Sequence, residues 1–351
     1  MAQKKALVIG GLGVIGRNLI NHMAPSGEWE IVAVSRRDPD KEMKNKATFI
    51  SCDLLDVSLT EEKLSHLKDI THIFCCALYG GIDATNTEQN LALVSNPVTV
   101  MSTVSGSLER VVLQEGSKAY GRQLGPFKTP AKESDSRHMP PNFYYEQEDF
   151  LKSFQQGKSW TWSVLRPEAV CGFAVGNPMN LIMCFGTYAA ISKELGMPLK
   201  YPGDLRGYGA INQVTDSGLL ARMTLWAATS PNAANEIFNI TNGDGFRYVN
   251  VWADWAAAFG MEVGMPQRII SSEVMTDKGH IWEKIVKKYV LVKLSYEQTA
   301  GWPYFDFNMN TAWDVLMSDA KRIDKGFTEV VDTEQMFLNL FAEFRDRKVL
   351  P

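Results

Sequence analysis

Residues 10–16 read GGLGVIG, with Gly10, Gly13 and Gly16 at three-residue intervals between an apolar run and an amphipathic one. Few short stretches restrict a fold as tightly. The preceding KALVIGG (5–11) is apolar throughout, as a strand buried on both faces must be, and VIGRNLINHMA carries helical spacing. In such a strand–loop–helix unit Gly10 permits the tight turn, Gly13 lets backbone approach a pyrophosphate, and Gly16 lets helix and strand pack closely. Val14 and Ile15 then open a helix whose first N–H groups and positive dipole end suit phosphate. The stretch predicts dinucleotide binding at the start of the chain.

The next 150 residues fit that unit. EIVAVSRR (30–37), ATFISCDLLD (47–56), ITHIFCCAL (70–78), ERVVLQEGS (109–117) and WSVLRPEAVCG (162–172) read as five further strands separated by helical patterns. That alternation predicts an α/β fold: a doubly wound parallel Rossmann sheet. Residues 119–141 hold four prolines and many charges and read as a loop. Beyond residue 172 the alternation loosens. Helices are expected over 178–195 and 214–230, strands over 199–203 and 236–243, and mainly helix from 249 onward. With no repeat or linker in view, residues 1–172 are expected to form the NADP-binding domain. Residues 173–351 are expected to form a smaller, mainly helical substrate-binding region partly interleaved with it.

Composition narrows the class. A chain of 351 residues, 45% hydrophobic with nine Trp and 17 Phe, can bury a large core. A formal net charge of −4 provides no basic field for nucleic acid. No apolar run is long enough to span a membrane, and MAQKKALVIGG leads straight into a strand. The five cysteines lack a C-x-x-C pair and sit mostly in apolar runs, which reads as a reduced, cytoplasmic setting. His is too scattered to form a metal cluster.

The end of the second strand selects the dinucleotide. NAD enzymes usually place a carboxylate there, for the adenosine ribose hydroxyls. Here Ser35, Arg36 and Arg37 stand instead, and guanidinium forks pair with the 2′-phosphate of NADP. Asp53 and Leu54 fall at the adenine edge, Ala77 and Leu78 line the cleft, and Glu115 ends the fifth strand on the same side. NADPH is the expected cofactor.

The three-residue glycine spacing favours the short-chain dehydrogenase arrangement, whose usual acid is the tyrosine of a Tyr-x-x-x-Lys helix. The helix starting near 143 has Tyr144 and Tyr145, but Glu148 and Asp149 four residues on. The YVLVK match, Tyr289 to Lys293, falls far beyond the sixth strand and is a coincidence of spacing. Lys118 lies instead at the end of strand five, in GSKAYG.

Together, GSKAYG, GPF (125–127), NFYYEQED (142–149), WSVLRPEAVCGF and the C-terminal WDVLMSDAKRIDKGF resemble the progesterone 5β-reductase/iridoid synthase family across essentially the whole chain. These are atypical extended short-chain dehydrogenases that reduce activated C=C bonds with NADPH. The resemblance implies a catalytic pair of Tyr144 and Lys118. It also implies Val170 and Met179 beside the nicotinamide, and Phe127 at a small enone or enal substrate. Ala119 departs from the histidine of plant-type members, and the 121–137 stretch differs too, which leaves the substrate open. Oligomeric state is open as well, a homodimer being one option. Two other classes compete: an NADPH-dependent carbonyl reductase or epimerase-like dehydrogenase, and a non-catalytic NADP-sensing regulator.

Overall fold

The structure, a computed structural model, describes residues 3–80 and 85–351. In chain order its strands are β1 (Lys4–Ile9), β2 (Trp29–Ser35), β3 (Thr48–Ser51), β4 (His72–Cys75), β5 (Arg110–Gln114), β6 (Thr161–Pro167), β7 (Val170–Cys171), β8 (Thr215–Asp216) and β9 (Glu236–Ile240). Seven form one parallel sheet in the order β3-β2-β1-β4-β5-β6-β9, as a doubly wound Rossmann fold requires.

Alternate side chains of β1 enter opposite cores. Ala6 and Val8 pack on one face with Leu19, Ile20, Leu219 and Leu220, from the helices Val14–Met23 and Ser217–Thr229. Leu7 and Ile9 pack on the other with Val98, Met101 and Leu151, from the helices Thr87–Val104 and Phe143–Phe154. Burial on both faces is why β1 reads as an unbroken apolar run. The sheet does not end with the first half of the chain. β9 extends it beyond β6, and the Ser217–Thr229 helix covers it.

A third, aromatic core holds the C-terminal region together. Phe185, Trp252, Trp255, Phe337 and Phe341 are all buried there, with Phe185 and Trp255 edge-to-face at 4.7 Å between centroids. That packing buries most of the Trp and Phe of the last hundred residues.

Two expected strands differ. The 162–172 run divides into β6 and β7, because Pro167 has no N–H to donate and the Glu168 N–H bonds the Thr215 hydroxyl instead of the sheet. Ala169 takes a φ of +26° at this corner. Residues 199–203 make only an isolated pairing, Leu199 with Val263.

Candidate active site

A cleft of about 620 Å³ opens at the carboxyl ends of the parallel strands, where strand order reverses between β1 and β4. Its cofactor-like end is built on the glycine loop. Gly10 has a φ of +81°, and a Cβ there would lie 2.9 Å from the Ala77 backbone. A Cβ on Gly16 would run into the Gly10 carbonyl oxygen, so Gly16 serves helix packing and does not itself line the cleft. Gly13, Val14 and Ile15 do line it, and the helix they open has no side-chain cap.

Ser35, Arg36, Arg37, Asp53, Leu54, Ala77, Leu78, Glu115, Val170 and Met179 all line the same cleft. The two arginines differ. Arg37 donates to the Leu12 carbonyl oxygen at 3.0 Å and to the carbonyls of Val175 and Gly176. Burial, then the nearby Arg17 and Arg36 charges, lowers its pKa. Arg36 is exposed and makes no hydrogen bond or ion pair among the described residues. Arg37 therefore pins the loop at 175–176 over the glycine turn, and Arg36 projects at the rim.

The inner end gathers Lys118, Tyr144, Arg122, Glu168, Tyr304 and Phe307. Asn142 caps the Phe143–Phe154 helix by accepting the Tyr144 N–H at 3.1 Å, and its amide donates to the Lys118 carbonyl oxygen at 2.8 Å. The Lys118 ammonium sits over the Phe143 ring at 5.7 Å, and Phe143 packs edge-to-face on Tyr144.

The adjacent tyrosines have different surroundings. The Tyr145 hydroxyl donates to the Ala119 carbonyl oxygen at 2.7 Å and accepts the His138 N–H at 3.2 Å. The Tyr144 hydroxyl has no hydrogen-bond partner among the described residues, and it passes so close to Gly116 that a Cβ there would stand 3.3 Å away. Burial, reinforced by Glu115 and Glu168, raises the Tyr144 pKa well above the usual 10, so the phenol is protonated at neutral pH.

Behind this pair lies a buried ion network. Arg166, on β6, bonds Glu115 through Nε at 2.9 Å and also bonds Glu148, on the helix that carries Tyr144. Burial opposes ionisation of Glu148, but Arg166, Lys152 and Arg137 outweigh it and hold the carboxyl down at about 2. Burial pushes Glu115 up, and Arg166 offsets only part of that.

Some expectations fall elsewhere. Phe127 is half-buried and lies outside the lining residues. Tyr304 and Phe307, on the Trp302–Met309 helix, do line the cleft, and no local pattern singles them out. Glu168 and Arg122 also escape a reading of the sequence, although a carboxylate inside the apolar run 162–172 is a legible signal. Tyr289 ends a C-terminal helix, exposed and away from the cleft. Among the described residues no group of His, Cys, Asp and Glu could hold a metal, and no helix is long and apolar enough to cross a membrane.

The doubly wound sheet, the glycine loop and the cleft at the switch point define a Rossmann-fold protein of the short-chain dehydrogenase type. The chain aligns over 97% of its length with the UDP-glucose 4-epimerase of Thermus thermophilus solved with NAD. The match covers 99% of that chain, with a TM-score of 0.65 at 18% identity, a likeness of fold. A KR domain matches residues 5–78, and the PRISE-like Rossmann-fold domain matches residues 49–351. The (S)-8-oxocitronellyl enol synthase of Nepeta racemosa is 33% identical over 365 residues, 99% of this chain and 93% of that protein. The 3-oxo-Δ4,5-steroid 5β-reductase of Arabidopsis thaliana is 30% identical over 367 residues, with 99% and 93% covered. The chain belongs to the PRISE-like Rossmann-fold family.

Proposed function

We propose that this protein is an NADPH-dependent reductase of activated C=C bonds that acts on small enones or enals. The observation that carries the reading is the Tyr144 hydroxyl, a protonated phenol on the cleft wall with no partner among the described residues, beside Lys118. The family relationship to an enol synthase and a steroid 5β-reductase supports it.

The residues present fit the cofactor. The φ of +81° at Gly10 and the close Ala77 backbone hold the glycine turn open along the cleft, the uncapped helix offers amide donors, and Arg36 leaves a guanidinium for the 2′-phosphate. When bound, NADPH supplies the hydride that reaches the substrate's β-carbon. The chain's part is to hold the carbonyl oxygen as negative charge grows on it. Tyr144 donates a hydrogen bond to that oxygen, and its raised pKa keeps the proton on the phenol. Lys118 adds positive potential at the same place. The start of the Phe143–Phe154 helix turns its positive dipole end toward the developing enolate. The α-carbon proton comes from solvent, so no further acid is needed.

A carbonyl reductase or epimerase-like activity would use the same scaffold, and a non-catalytic NADP sensor would keep only its glycine loop. Incubation with NADPH and 2-cyclohexen-1-one separates the three. Cyclohexanone is the expected product. Allylic alcohol would overturn the reading in favour of carbonyl reduction, and no NADPH consumption with any enone or enal in favour of a sensor.

A further inference from the structure

The Tyr144 hydroxyl bonds nothing among the described residues, so no contact at its reacting end fixes where it points. Tyr144 is also the second residue of the Phe143–Phe154 helix, in a first turn whose N–H groups have no partner within the helix. Its aim depends on what holds the helix from behind. Glu148 follows Tyr144 by four residues and lies on the same helix face, one turn on. Arg166, on β6, donates through Nη2 to Glu148 and through Nε to Glu115 at 2.9 Å. Glu115 adjoins Gly116, where a Cβ would stand 3.3 Å from the Tyr144 hydroxyl. Through Nη1 Arg166 donates to the Tyr120 hydroxyl at 3.2 Å, two residues beyond Lys118. That hydroxyl donates in turn to Asn239 Oδ1 at 2.6 Å, on β9. All three guanidinium nitrogens are engaged, each with a different segment.

Arg166 and Glu115 are 5% exposed and Glu148 2%. Removing such groups from water is costly, and apolar side chains of the same volume often hold a fold as well or better. Stability alone therefore does not account for the cluster. A guanidinium adds what apolar packing lacks: N–H donors fixed in one plane, which set the angles between the groups they bond.

We infer that Arg166 is a positioning residue for the reduction: it holds the helix face bearing Tyr144 in register with the Glu115–Lys118 segment, and so aims the phenol at the substrate oxygen. Arg166 does not line the cleft and acts only through Tyr144. This rests on the reductase reading.

The test is a double-mutant cycle on the intact protein with NADPH and 2-cyclohexen-1-one, with rates taken per folded enzyme. Arg166→Lys keeps the charge and loses the planar fork. It should lower kcat about tenfold or more, as a small displacement of a reacting group does, and leave KM for NADPH nearly unchanged. A merely structural role would give the same loss whether or not the Tyr144 hydroxyl is present. A positioning role would not. In Tyr144→Phe the added Arg166→Lys change should lower kcat by less than about twofold, because the group it aims is already gone. If Arg166→Lys does not fold, Glu148→Gln takes its place. It removes the charge that Arg166 holds on the helix, and its smaller loss of kcat should likewise vanish in Tyr144→Phe. Equal losses in both backgrounds, or native kcat in the single variant, would overturn the inference and leave the reductase reading standing. Reduction of no enone or enal by the native protein would overturn both.

Discussion

The Asn142 side-chain amide donates to the Lys118 carbonyl oxygen at 2.8 Å, while its carbonyl oxygen caps the helix that begins with Phe143 and Tyr144. One fully buried residue thus fixes the separation of the two segments proposed to act on the substrate oxygen. Asn142→Ala should cost about 1–3 kcal/mol of stability, from the lost cap and the weakened bonding of a buried carbonyl. In the folded variant kcat should fall while KM for NADPH changes little, because the glycine loop is untouched. Steady-state kinetics with urea unfolding would test this. A stable variant with native kcat would show that the bridge does not position the pair.

Tyr144 and Tyr145 should respond in opposite ways. Tyr144→Phe removes a hydroxyl that bonds nothing among the described residues, so stability should hold and kcat should fall about 10²–10³-fold. Tyr145→Phe leaves the Ala119 carbonyl and the His138 N–H without that partner, which should lower stability by about 1–3 kcal/mol and spare most of the rate. An inactive Tyr145→Phe beside an active Tyr144→Phe would reverse the assignment.

The two arginines after β2 should also separate. Arg36→Ala should weaken NADPH binding roughly ten- to hundredfold and leave NADH nearly unchanged, as the loss of a charge-assisted phosphate contact does. Arg37→Ala should weaken both cofactors, because Arg37 ties the 175–176 loop to Leu12 over the glycine turn. Fluorescence titration with each nucleotide would measure it. Equal losses for NADPH and NADH in Arg36→Ala would remove its role as the discriminator.

Glu148 makes the fold sensitive to acid. Its carboxyl is held at about 2, below the ordinary 4.5, so its stabilisation is complete above that ordinary value and is lost as pH falls through the folded value. The urea midpoint of the native protein should drop between neutral pH and about pH 3. Glu148→Gln should be less stable at neutral pH by roughly 3 kcal/mol, since Arg166 loses a buried partner, yet show a shallower acid-side drop. The same drop in both proteins would assign the acid sensitivity to other carboxylates.

The Rossmann sheet was legible in the residues alone. Strand, glycine turn and helix are neighbours in the chain, so the steric demands at Gly10 and Gly16 are written in consecutive residues. Burial on both faces likewise imprints each parallel strand as an apolar run. The Tyr144 and Lys118 positions were legible only through the family resemblance, because no local pattern marks either. Tertiary structure decided which tyrosine faces the cleft: adjacent helical residues point about 100° apart, and only the packing of Ala119 and His138 shows which hydroxyl is already bonded. It also spent Arg37 on carbonyls up to 139 positions away, left Phe127 outside the cleft, and brought Arg122, Glu168, Tyr304 and Phe307 to its inner end. These residues lie far apart in the chain and meet because the Trp302–Met309 helix packs against the Leu181–Glu194 helix and reaches Arg122 through Phe307 and Asn308. Contacts of that range leave no periodicity in the sequence, since each depends on the path of the whole chain rather than on the residues beside it.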